Sequence, residues 1–192
     1  MKLVLVFLAF ACILTCGQKV DNNPNELGNK INMGSKEKNE SINPWTTFAK
    51  SGISIDFPEK WMVEESKKPK LLLVAFPEGE KGKSGFNDNL NIVIQYDSSG
   101  KLTLANWAEM LDQGNSKHDN YKLIKSEEKK LGNLEVHELI YNITRQNFDL
   151  RYIQYLIIKD KKVYNLTFTA KQSTYDANLS DVKRIFDSFE LV

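Results

Sequence analysis

Between Tyr121 and Lys171 apolar and polar residues alternate almost without interruption, broken only at Gly132-Asn133, Asn147 and Asp160-Lys161. Period-two patterning with breaks this short demands antiparallel strands that are neighbours in space, because parallel neighbours need a crossover of about a dozen residues or more. The spacing predicts strands over about 121–129, 134–144, 150–158 and 162–170, joined as a meander. In the third, Tyr152, Gln154, Leu156 and Ile158 alternate with Ile153, Tyr155 and Ile157. Apolar side chains on both faces place that strand centrally, in a sheet covered on both sides.

The cover comes from two stretches where the period changes. Leu104, Trp107, Ala108 and Leu111 stand at helical spacing behind Thr103, a suitable N-cap. Tyr175, Leu179, Val182, Phe186 and Phe189 form a second stripe, with Thr174 at the capping position and Lys183-Arg184 in its later half. Upstream, Ile53, Ile55 and Phe57 alternate in a strand stopped by Pro58 and followed by Trp61. Trp45 to Lys50 is expected to pair with it across a turn at Gly52. Leu71 to Phe76 is an apolar run ended by Pro77, and Leu90, Ile92, Ile94 and Tyr96 alternate, giving two more strands. Gly79, Gly82 and Gly85 among charges mark a loop. The expected class is α+β, a largely antiparallel sheet flanked by two amphipathic helices. Periodicity leaves open whether the helices lie on opposite faces or share one.

Only one domain fits in 192 residues beside terminal extensions. Lys2 and the apolar run from Leu3 to Leu14, too short to span a bilayer, predict a signal peptide over residues 1–15. Ile13-Leu14-Thr15-Cys16-Gly17 resembles the lipobox of bacterial lipoproteins, with Ile13 and Thr15 where Leu and a small Ala or Gly are usual. That resemblance implies lipidation of Cys16, with Cys12 the second candidate. Residues 16–43 have the composition of a flexible tether, leaving 44–192 as the domain. An exported protein anchored at a bacterial cell-envelope membrane, on the periplasmic or surface side, is expected. Both cysteines lie in the first 16 residues, so the domain holds no thiol or disulfide. The formal net charge of +1 gives no global attraction to nucleic acid, and no such partner is expected. Asn-x-Ser/Thr patterns begin at Asn39, Asn142, Asn165 and Asn178; two fall in expected strands and read as chance.

The domain shows no catalytic set and no metal-ligand or cofactor spacing. His118 lies in a polar exit and His137 in a strand, with Glu135 and Glu138 nearby on opposite faces. Asp56 and Glu59 flank Pro58 and read as a solvated turn. Trp61, Trp107, Tyr152, Tyr155, Tyr164 and Phe168 are candidates for a pocket, although packing is the ordinary use of such rings. Lys67-Lys68-Pro69-Lys70, Lys129-Lys130 and Lys159 to Lys162 are candidates for a basic patch, or for lysine guards on strand edges.

An ordered set of segments resembles the PsbP/DcrB/LpqN-like superfamily, which also takes in a small nuclear-transport factor. The set comprises Ser51-Gly-Ile-Ser-Ile-Asp-Phe-Pro-Glu-Lys-Trp61, Asn89 to Ile94, Leu104-Ala-Asn-Trp107, Lys162 to Thr167 and Ile185 to Phe189. Lys60 stands where that family commonly has glycine. The resemblance implies an antiparallel sheet sandwiched by helices. It also implies a role in protein binding, photosystem assembly or the cell envelope rather than catalysis. The expected function is that of a non-catalytic envelope lipoprotein that binds or helps assemble another envelope protein. The alternative is a small-ligand or metal-ion binder using a cleft near Trp61 and the Gly79–Gly85 loop.

Overall fold

The computed structural model describes residues 44–192. The expected signal peptide, the tether and both Cys12 and Cys16 lie outside the described residues. In chain order the elements are β1 (Trp45–Lys50), β2 (Ile53–Pro58), β3 (Met62–Glu65), β4 (Leu71–Phe76), β5 (Asn89–Tyr96), α1 (Leu104–Asn115), β6 (Lys122–Leu131), β7 (Leu134–Arg145), β8 (Phe148–Lys159), β9 (Lys162–Lys171), α2 (Tyr175–Asp187) and β10 (Glu190–Leu191). They form a three-stranded sheet ordered β1-β2-β10 and a seven-stranded sheet ordered β3-β4-β5-β9-β8-β7-β6, in which every pairing is antiparallel.

The meander forms as expected, and its turns explain why. At Gln146-Asn147 and Asp160-Lys161 both central residues have positive φ, which matches the turn to the twist of the strands it joins. Ser51-Gly52 does the same between β1 and β2. β8 and β9 are central, and the β8 residues Ile153, Tyr155 and Ile157 are buried on one face opposite Leu156 on the other.

The helices lie on opposite faces, which resolves the alternative that periodicity leaves open. α2 and the small sheet cover one face, where Val182, Ile185 and Phe186 meet Ile53, Ile55 and Phe57 and the β9 residues Leu166 and Phe168. α1 covers the other over β7 and β8, with Ala108 against Leu139, Tyr141, Ile143 and Leu156. Thr103 caps α1 as expected, its hydroxyl accepting from the Asn106 amide at 3.2 Å. Thr174 does not cap α2 through its side chain; its hydroxyl donates to Asp88 instead. The charged stretch after Trp61 holds a strand that alternation does not reveal, because β3 has four residues and lies at a sheet edge, where charge is tolerated.

Candidate functional site

A groove of about 340 Å³ lies between the β1–β2 hairpin and β3. Thr46 and Phe48 of β1 and Phe57 of β2 line one side. Val63 and Glu65 of β3 line the other, with Glu59 and Trp61 from the intervening turn. That turn closes through the Trp61 amide, which donates to the Pro58 carbonyl at 2.8 Å. Lys60 keeps negative φ there, so glycine is not needed, and its ammonium pairs with Asp181 of α2 at 2.8 Å. Trp61 is 4% exposed, with its ring centroid 6.2 Å from that of Phe168. It is the floor between groove and core. An ion pair between Lys50 and Glu65 ties the far ends of β1 and β3 together.

Both strands bordering the groove lie at sheet edges. The two-residue turn makes Lys50 and Ile53 a hydrogen-bonded pair, and bonded pairs then alternate along the hairpin. The backbone groups of Trp45, Thr47 and Ala49 therefore point away from β2. By the same alternation, counted from the Ser66 amide bonded to the Leu72 carbonyl, Val63 and Glu65 turn theirs away from β4.

The other sequence candidates go elsewhere. Asp56 accepts from the Thr47 hydroxyl at 2.7 Å, whereas Glu59 lines the groove, so the two carboxylates do not work as a pair. Trp61, Tyr155, Tyr164 and Phe168 pack on the α2 face, and Trp107 and Tyr152 on the α1 face. The six rings thus line no common pocket. His118 is exposed. His137 is 8% exposed, with Nε2 2.8 Å from Ser126 Oγ. Its Nδ1 is 3.8 Å from Glu128, beyond hydrogen-bond range. Among the described residues no group of three His, Cys, Asp or Glu side chains is placed to hold a metal ion. The Gly79–Gly85 loop contributes nothing to the groove. It folds so that Glu80 accepts from the Asp88 amide at 3.2 Å.

The burial of Glu138 and Asp88 is not foreshadowed by the sequence pattern. Glu138, 4% exposed, faces α2 and pairs with Lys129 at 2.9 Å and Lys125 at 3.4 Å. The Lys129 ammonium also stands 3.9 Å from the Tyr155 ring centroid and donates to its hydroxyl. Lys129 is therefore not part of a solvated patch. Nearby, the Tyr175 hydroxyl is buried without a partner among the described residues, and burial pushes its pKa to about 12. The second group is Asp88, fully buried, which accepts from the Lys171 amide at 3.0 Å and from the Thr174 hydroxyl.

Comparison with curated proteins gives no significant match. Among solved structures the chain is similar to cyanobacterial PsbP (CyanoP) of Synechocystis sp. PCC 6803, at TM-score 0.58 and 14% identity, covering 82% of this chain and 98% of that one. It is similar to LpqN, a protein involved in cell envelope biogenesis of Mycobacterium tuberculosis, at TM-score 0.62 and 11% identity, covering 78% and 91%. It is also similar to the Saccharomyces cerevisiae Ran-binding protein Mog1p, at TM-score 0.53 and 6% identity, covering 78% and 96%. At such identities the likeness is one of fold. The sequence profile of PsbP-like proteins, by contrast, matches residues 3–191, nearly the whole length, and this chain belongs to that family.

Proposed function

We propose that this protein is a non-catalytic cell-envelope lipoprotein, anchored through Cys16, whose domain binds an extended segment of another envelope protein in the groove beside Trp61. The observation that carries this reading is the pairing of a groove with two strand edges, β1 and β3, that have no partner strand among the described residues. A strand edge supplies main-chain hydrogen bonds to any extended chain, and a groove beside it selects side chains. Phe48, Phe57 and Val63 suit an apolar residue; Glu59 suits a basic one. LpqN, with the same fold, is involved in cell envelope biogenesis, and Mog1p binds Ran, which supports a binding role for the scaffold.

A photo-crosslinking residue placed at Thr46 or at Val63 in living cells should capture the same envelope protein, and one placed at Asp149 should not. Capture that does not depend on position removes the groove from the reading. Ala49→Pro then tests the mode of binding, because it deletes an outward N–H while leaving the β1–β2 bonds intact. It should abolish capture without lowering the melting temperature. The anchor is tested separately, by loss of fatty-acid probe labelling in Cys16→Ala.

A further inference from the structure

Three lysine-rich segments separated in sequence come together at one end of the seven-stranded sheet. β8 and β9 turn there at Asp160-Lys161, with Lys159 opposite Lys162, and Tyr96 ends β5 opposite Lys162. The Ile94 amide donates to the Lys70 carbonyl at 2.8 Å, bringing the β3–β4 turn with Lys67 and Lys68 to the same rim. The Asp97 amide donates to the Lys161 carbonyl at 2.8 Å, and Gly100 lies against the Lys161 side chain, so the loop carrying Lys101 joins as well. Finally, the β7–β8 register sets His137 against Leu156; extended toward the strand ends, it puts the β6–β7 turn with Lys130 beside Lys159.

The rim gathers eight lysines, all exposed except the half-buried Lys162, against three carboxylates: Asp97, Glu135 and Asp160. Asp97 is committed to its own loop, accepting from the Ser99 and Leu102 amides at 2.9 Å each. Glu135 stands across from Lys130. The chain as a whole carries only +1, so positive charge is segregated here. Protection of a strand edge accounts for lysines on β6, but β8 and β9 are central strands and their turn guards no edge. None of the rim cations is an arginine, the residue suited to bidentate recognition of one phosphate or carboxylate. Separate, flexible point charges on four neighbouring turns suit a diffuse anionic surface instead. Tyr96, 74% exposed among them, has the amphipathic ring that settles at a membrane–water boundary.

We propose that this rim docks on an anionic lipid bilayer, with the Tyr96 ring entering the headgroup region. The convergence of charge stands on geometry, and the choice of a bilayer rests on the anchored-lipoprotein reading. Docking would hold the long axis of the sheet across the membrane plane and present the groove sideways.

The full chain, not lipidated, is titrated with vesicles of phosphatidylcholine alone and with vesicles containing phosphatidylglycerol. Residues 3–14 contribute equally to both, so the readout is the gain from the anionic lipid. Lys67→Gln, Lys159→Gln and Lys161→Gln combined should reduce that gain on the order of 100-fold at about 1 kcal/mol per lysine, with an unchanged melting temperature. Lys81→Gln, Lys117→Gln and Lys122→Gln combined should leave it intact. Tyr96→Ser should weaken binding without changing its salt dependence. Equal loss in both triple variants would reduce the effect to net charge and overturn the proposal. Survival of the gain in the rim variant would also overturn it, as would its abolition by soluble glycerophosphate at constant ionic strength, which points to a discrete phosphate site. Failure of Cys16 labelling leaves the vesicle result standing, and a negative vesicle result leaves the anchor and groove readings untouched.

Discussion

The two faces of the seven-stranded sheet are closed by different physics. On the α2 face a large apolar cluster does the joining, with aromatic pairs such as Tyr155–Phe186 at 4.6 Å and Tyr164–Phe189 at 5.8 Å between sheet and helix or helix exit, and the Lys129–Glu138 pair lies at its border. On the α1 face the apolar cluster is small and a chain of side-chain hydrogen bonds runs beside it, one bond from helix to sheet and two between neighbouring strands. The Trp107 indole donates to Asn165 at 2.9 Å, the Tyr141 hydroxyl to Gln154 at 3.0 Å, and Gln154 in turn to Thr167 at 2.9 Å. One face answers to the volume and shape that fill it; the other requires specific atoms. The groove borders the first face, so its floor inherits that face's rigidity.

The largest effect should come from cutting into the apolar face. Trp61→Ala should cost about 3–5 kcal/mol in urea unfolding, because the ring is buried against Phe168 and its removal leaves a cavity. A cost below about 1 kcal/mol, with partner capture lost, would make Trp61 a contact residue and blur the line between groove and core.

The polar face should respond in the opposite sense to chemistry rather than volume. Gln154→Leu should cost about 2 kcal/mol, since it takes the acceptor from the buried Tyr141 hydroxyl, which keeps only its bond with the Asn115 side chain, and the donor from the buried Thr167 hydroxyl. Adding Tyr141→Phe and Thr167→Val should recover most of that loss, because the two buried hydroxyls that Gln154 served are then gone and the half-buried Asn115 can turn to water. If the triple variant is less stable than the single one, the network contributes more than satisfied hydrogen bonds.

These contrasts bear on what sequence conveys. The meander is legible because β7, β8 and β9 are covered on both faces and their turns carry residues that accept positive φ. The two helices are legible from stripes, and the family likeness from the order of its segments. β3 is not legible, because a four-residue edge strand with Glu64 and Glu65 needs no alternation. The groove is not legible either, since it arises where two separate sheets face one another. Trp61 marks it, but alternation cannot distinguish a ring that floors a groove from one within a core. Lys129 and Glu138 are nine residues apart on two strands, and only the hairpin register makes them a pair. Thr174 has the right identity for a cap, and its hydroxyl is taken instead by a carboxylate 86 residues away.

Breaking that Lys129–Glu138 pair gives a smaller effect than either face-level change. Glu138→Ala should cost about 1 kcal/mol, low for a buried ion partner, because Lys125 and Lys129 are partly exposed and can rehydrate. Glu138→Gln should cost less. A loss approaching that of Trp61→Ala would show that the apolar face depends on its charged border.

The smallest effect is a pH slope at Asp88, where the two faces meet at the start of α2. Burial, the dominant influence, and Glu80 raise its pKa above 3.8, while the Thr174 hydroxyl, the Lys171 amide and the Lys171 charge pull it back. A carboxyl raised in the folded state contributes stability that is fully present below 3.8 and is lost as pH rises through the folded-state value. Asp88→Asn keeps an acceptor for the Lys171 amide and removes the ionisation. The variant should match the parent in acid and gain on it toward neutral pH, measured as the difference in unfolding midpoint across the titration. A parent that instead gains on the variant as pH rises would mean that the Thr174 and Lys171 hydrogen bonds outweigh desolvation, and that this junction, like the α1 face, is held by specific atoms.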